Sequence, residues 1–145
     1  MNKQKKAIYA GSFDPLHDGH VSILLKALKL FDYVYLVVSI NPDKDNYSNL
    51  DLRYQKILQT IKKYNFTNVE VLLNKDDFIA NIAKKYQVNF LIRSARNDVD
   101  FSYELELAAG NKHLNEDLET VLLVPDHQFI NFSSTLIRHK EKLNK

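Results

Sequence analysis

Cysteine is absent from the 145 residues, which excludes disulfides, thiolate metal sites and a cysteine nucleophile and agrees with a cytosolic chain. No apolar stretch approaches the roughly 20 residues that span a bilayer. The opening Met1-Asn2-Lys3-Gln4-Lys5-Lys6 leads into a strand pattern rather than a signal-peptide core, so a cytoplasmic protein with no membrane partner is expected. Charge of one sign is barely in excess: 20 Lys and Arg against 18 Asp and Glu leave +2. The lysines are scattered rather than interleaved with aromatics, so nucleic acid is not an expected partner. Glycine is scarce too, with three in the chain, yet Gly11 and Gly19 fall within one ten-residue stretch. The remaining composition, 45% hydrophobic and 11% aromatic, excludes disorder. The length suits one domain, residues 1–145, around a single core.

Strand and helix patterns alternate along that domain. Ala7-Ile8-Tyr9 reads as a first strand, and Val21, Leu24, Leu25 and Leu28 repeat at helical spacing after it. Tyr33 to Ser39, dense in Val and Tyr, reads as a second strand, broken by Asn41-Pro42-Asp43. Ser48 is a candidate N-cap with Asp51 three residues on, and Leu50, Tyr54, Ile57, Leu58 and Ile61 mark one face of the following helix. Further strands are expected at Val69–Leu73, Phe90–Arg93 and Val121–Val124, with helices at about Asp77–Tyr86 and Asp100–Leu114 and a short one opening near Ser133. Parallel neighbours need crossover connections of one hand. The expected fold is therefore α/β: a single Rossmann-like, doubly wound domain with a five-stranded parallel sheet.

Ligands of such sheets lie beyond the carboxyl ends of the strands, where strand order reverses. The chemically promising residues all fall there. Gly11-Ser12-Phe13-Asp14-Pro15-Leu16-His17-Asp18-Gly19-His20 fills the first strand-to-helix turn, where a missing side chain lets a ligand approach the backbone and the helix N–H groups face an anion. Lys44 follows the second strand, Arg93 and Arg96 the fourth, and Ser133-Ser134-Thr135 the fifth. Glu104 and Asn111, seven apart on one helix, share a face.

The stretch from Gly11 to His20 resembles the signature of the nucleotidyltransferase superfamily. Leu91-Ile92-Arg93-Ser94-Ala95-Arg96, Asp100-Phe101-Ser102-Tyr103-Glu104, Asn111-Lys112-His113-Leu114 and Phe132-Ser133-Ser134-Thr135-Leu136 narrow the resemblance to the bacterial phosphopantetheine adenylyltransferases, over essentially the whole chain. That resemblance implies transfer of an adenylyl group from ATP to 4'-phosphopantetheine, giving dephospho-coenzyme A and pyrophosphate, with Mg²⁺, in a homohexamer. It also implies site roles. His20, Lys44 and Arg93 would be catalytic, with His20 on the α-phosphate and Lys44 and Arg93 on the phosphate of the acceptor. Ser12, Phe13, His17, Ser94, Ala95, Arg96, Glu104 and the run Phe129, Ile130, Asn131, Phe132, Ser133, Ser134 and Thr135 would hold ATP. Ser12, Phe78, Ile79 and Asn111 would line the pantetheine site. With no carboxylate cluster to mark a protein metal site, Mg²⁺ would ride on the triphosphate.

Ordinary structural roles compete with several of these. Asp14-Pro15 suits a turn, a Ser-Ser-Thr run can simply cap a helix, Lys44 can be a solvated loop residue, and Phe78 and Ile79 can be partly core. A helical ion pair for Glu104 four residues on fails because residue 108 is Ala. The family carries Gly where this chain has Ser94, and the end at Lys145 is expected to leave the last helix short, with Arg138, Lys140 and Lys142 near its C-terminal dipole. Nicotinate-mononucleotide adenylyltransferase, another small-molecule nucleotidyltransferase such as a cytidylyltransferase, and a nucleotide-binding regulatory module are the alternatives.

Overall fold

The computed structural model describes residues 3–39, 50–130, 140 and 142–143. The apolar runs form β1 (Lys6–Gly11), β2 (Tyr33–Ser39), β3 (Val69–Asn74), β4 (Phe90–Ser94) and β5 (Glu119–Leu123). They pair in parallel in the order β3-β2-β1-β4-β5. The helices between them are α1 (Asp18–Leu30), α2 (Leu50–Lys63), α3 (Ile79–Tyr86) and α4 (Asp98–Leu114). β1 and β4 are adjacent although two strands intervene in sequence. The order of winding therefore reverses between them, and a crevice opens beyond their carboxyl ends.

Central strands are buried on both faces, so β1 and β2 read as continuous apolar runs rather than alternating ones. Tyr9, Leu36 and Ile92 join residues of α1 and α2 such as Leu24, Ala27 and Ile57 in one cluster. Ile8, Val37 and Leu91 join Ala80 and Ala83 of α3 in another. Burying one Ile or Leu completely stabilises the fold by about 1.5–3 kcal/mol, so the two clusters anchor the sheet that carries the crevice. In α1 the buried face is Val21, Ile23, Leu24 and Ala27. Leu25, expected on that face, is 45% exposed, because the buried stripe centres on Ile23, Leu24 and Ala27 and leaves position 25 at its edge. α4 differs from the others: among its residues only Glu104 and Asn111 are buried, whereas Val99, Phe101, Tyr103 and Leu105 are exposed.

The anticipated boundaries hold within one or two residues, and five strands and four helices follow the sequence pattern. Ser48 and the final helix opening at Ser133 lie outside the described residues; Lys140, Lys142 and Leu143 are helical. None of the described helices is long and apolar enough to cross a membrane.

Candidate active site

Phe13, two residues past β1, turns the chain. Its φ of 47° is a left-handed conformation that a bulky residue adopts only under constraint, and here the constraint is packing. The buried ring meets Tyr9 edge-on at 5.2 Å and His20 edge-on at 5.0 Å. A Cβ on Gly11 would come within 3.0 Å of that ring, and one on Gly19 within 2.9 Å of the His17 ring. Neither glycine has positive φ. The two glycines thus also make room for the rings of Phe13 and His17.

His17 and His20 cap α1 reciprocally. The His17 Nδ1 accepts from the Gly19 N–H at 3.1 Å, and the His20 Nδ1 accepts from the His17 N–H at 3.1 Å. The rings stack with centroids 3.8 Å apart. With Nδ1 accepting, neutral His20 must carry its proton on Nε2. Burial pushes its pKa from 6.5 down to about 4, and the neighbouring His17, Arg96 and Arg93 add to the shift. At neutral pH His20 is therefore a neutral donor at a helix N-terminus.

Arg93 lies on β4 across the winding reversal. Its Nε donates to Glu104 Oε2 at 2.8 Å, its Nη2 to Oε1 at 2.7 Å and its Nη1 to the Ala10 carbonyl at 2.6 Å. Burial alone would lower the guanidinium pKa, but the hydrogen bond and charge of Glu104 outweigh it and the net shift is upward. A guanidinium has five N–H donors, so three bonds to described residues leave two that a phosphate can take. Glu104 faces Arg93 with both oxygens, Arg93 is tied to Ala10 near the end of β1, and His20 packs on Phe13 in the turn that follows β1. The imidazole of α1 and the guanidinium of β4 belong to one crevice. Tyr9 sits beneath them, its hydroxyl pushed up by burial and held protonated.

Other anticipated residues reach the same rim. Ser12 is half-buried at the turn. Ser94 stays in β4, opposite Leu123, without positive φ, so a serine sits there at no backbone cost. Ala95 follows it, and exposed Arg96 pairs with Asp100 at 3.2 Å. Beyond β5, Asp126 accepts from Ser22 at 2.9 Å and pairs with Lys26 at 2.8 Å. That tie brings the 126–130 segment onto α1, where Phe129 packs over Gly19, with Ile130 half-buried beside it. Asn111 is buried on the face of α4 that holds Glu104. Phe78 is 63% exposed at the start of α3, while Ile79 packs against the second core cluster. Lys44, Asn131, Phe132, Ser133, Ser134 and Thr135 lie outside the described residues. Among the described residues no group of three or more His, Asp or Glu is placed to hold a metal ion.

Two polar residues were missed. Arg53 of α2 is 3% exposed, and its Nη1 donates to the carbonyls of Ser12 and, at 3.3 Å, Ser39. Buried Asn74, ending β3, donates to Ser39 Oγ at 3.2 Å and to the Asp77 carbonyl at 2.8 Å. The available signal for Arg53 was its spacing, three after Leu50 and four before Ile57 on the apolar stripe.

The description Cytidylyltransferase-like matches residues 8–140. A phosphopantetheine adenylyltransferase of Mycoplasma capricolum subsp. capricolum is 41% identical over 97% of this chain and 99% of its own length. One from Mycoplasma mycoides subsp. mycoides SC is 40% identical with the same coverage. Among solved structures, a putative nicotinate-nucleotide adenylyltransferase from Vibrio parahaemolyticus superposes with a TM-score of 0.52 at 21% identity, covering 99% of this chain and 90% of that one. A bifunctional NMN adenylyltransferase/ADP ribose pyrophosphatase from Francisella tularensis gives 0.58 at 16% identity, over 99% of this chain and 43% of that one. Those structures share the fold, whereas the near-full-length relatives share two-fifths of the sequence. By that likeness the chain belongs to the cytidylyltransferase-like family and, within it, to the phosphopantetheine adenylyltransferases.

Proposed function

We propose that the chain transfers the adenylyl group of ATP to 4'-phosphopantetheine, forming dephospho-coenzyme A and releasing pyrophosphate in coenzyme A synthesis. A phosphate oxygen of the acceptor attacks the α-phosphorus, a new P–O bond forms, and the bond to the β-phosphate oxygen breaks. Negative charge crowds around the α-phosphorus, so the residues act by position and electrostatics rather than by a covalent step. His20 donates its Nε2–H to an α-phosphate oxygen. The two remaining N–H groups of Arg93 take the acceptor phosphate, whose geometry a guanidinium matches, and Lys44 adds charge to the same group. Ser12 and Phe13, with His17, Arg96, Ser133, Ser134 and Thr135, hold the polyphosphate. Phe78, Ile79 and Asn111 receive the pantetheine arm, and Ser94, Ala95, Phe129, Ile130, Asn131 and Phe132 surround the nucleotide.

The carrying observation is the neutral His20 donor set against a partly satisfied Arg93 where the winding reverses. The two curated relatives support the choice of acceptor. Mg²⁺ enters with ATP as the substrate complex. The exposed Val99, Phe101, Tyr103 and Leu105 of α4 support assembly with further copies, for which we propose the homohexamer of the family, and soluble phosphorylated substrates support the cytoplasm. Incubation with ATP, Mg²⁺ and either 4'-phosphopantetheine or nicotinate mononucleotide tests the reading by pyrophosphate release. Turnover with the first alone is expected; turnover with the second alone would overturn it.

A further inference from the structure

We propose that Arg53 is a positioning residue that clamps the ATP-phosphate turn to the ends of β2 and β3 beside Phe78, an inference that rests on the reaction proposed above. Its guanidinium is buried under the crevice and bonds two main-chain oxygens from different strand ends. One belongs to Ser12, in the turn after β1; the other to Ser39, the last residue of β2.

The bond to Ser12 has a directional consequence. In a trans peptide the C=O and the following N–H point opposite ways. Holding the Ser12 carbonyl toward α2 therefore aims the Phe13 N–H away from α2 and fixes it as an anion donor. That N–H makes no hydrogen bond to another described residue. Phe13 also sits at φ 47° against the His20 ring, so the clamp steadies the imidazole through one ring contact.

The bond to Ser39 extends the clamp. Asn74 holds the Ser39 hydroxyl from β3 and closes the 74–78 turn through the Asp77 carbonyl and N–H. The ends of β1, β2 and β3 are thereby joined by one polar chain, Ser12–Arg53–Ser39–Asn74, ending beside Phe78. ATP and acceptor groups are set by the same buried cation. A displacement of its partners moves both substrates at once, and misplacement by an ångström is enough to slow an in-line transfer.

The test compares the wild-type chain with R53K and R53M, each checked by circular dichroism and a thermal melt and assayed well below its own melting temperature. In R53M, kcat/KM is expected to fall about tenfold or more for both ATP and 4'-phosphopantetheine, and R53K, which keeps a charged donor, should recover part of both. Folded R53M with wild-type kcat/KM, or a loss confined to one substrate, would overturn the clamp, since a merely structural role lowers the melting temperature and spares turnover. Should R53M not fold, R53K carries the comparison, with a parallel loss for both substrates expected and an unchanged kcat/KM overturning the clamp. A wild-type chain inactive with 4'-phosphopantetheine would remove the reaction reading instead. ATP binding by calorimetry then decides the clamp, with several-fold weaker affinity in the variant supporting it and equal affinity overturning it.

Discussion

Arg93 and Glu104 meet as a two-pronged pair, 2.8 and 2.7 Å on its two arms, eleven residues apart in sequence and joined across the β4–α4 connection. The pair leaves one edge of the guanidinium on Ala10 and the crevice, so Glu104 sets the direction in which Arg93 offers its remaining donors.

Replacing Glu104 by Gln keeps the shape but removes the charge. Breaking a fully buried pair costs about 3–5 kcal/mol, and roughly 2 kcal/mol is expected here because Gln retains one acceptor and the Arg93 side chain is 21% exposed. The melting temperature should fall accordingly. Steady-state kinetics should show the KM for 4'-phosphopantetheine rising more than the KM for ATP. An equal rise in both would mean that the pair does not aim Arg93 at the acceptor.

His20 should titrate far below a free imidazole. Its ring signals, followed by NMR in the ligand-free protein, are expected to show a midpoint near 4 rather than 6.5. Because the folded state binds that proton more weakly than the unfolded chain, this group favours folding fully above pH 6.5 and progressively less as pH falls toward 4. A midpoint near 6.5 would show that the ring is neither desolvated nor held by its neighbours.

Gly19→Ala separates helix propensity from site geometry. Ala gains up to about 1 kcal/mol over Gly in a helix, yet its Cβ would stand 2.9 Å from His17 Cε1. The ring must move and the His17–His20 stack with it. Nearly unchanged thermal stability with about tenfold lower kcat/KM for ATP is expected, a loss of about 1.4 kcal/mol in transition-state binding. Unaltered kinetics would mean that the stack does not orient His20.

The fold was legible because buried parallel strands announce themselves as Val-, Ile- and Tyr-rich runs such as Tyr33–Ser39, and the crevice followed from their alternation with helices. Finer features were hidden where one residue type serves two ends. Leu25 carries the helical spacing of a core residue but faces outward. Arg53 looks like a solvated helix cation until the strand ends that receive it are known. Gly11 and Gly19 were found, but their packing role was not, since the rings that need the space belong to Phe13 and His17, two residues away. Glu104 and Asn111 were correctly set on one face of α4, and only the fold reveals Arg93 as the partner of Glu104.

The most direct measurement is single-turnover pyrophosphate release by His20→Ala, with the ATP dissociation constant determined on the same preparation. A donor that acts mainly in the transition state is worth about 10²–10³ in rate, so the rate should fall by that factor while ATP affinity changes little. A wild-type rate in the variant would contradict the account.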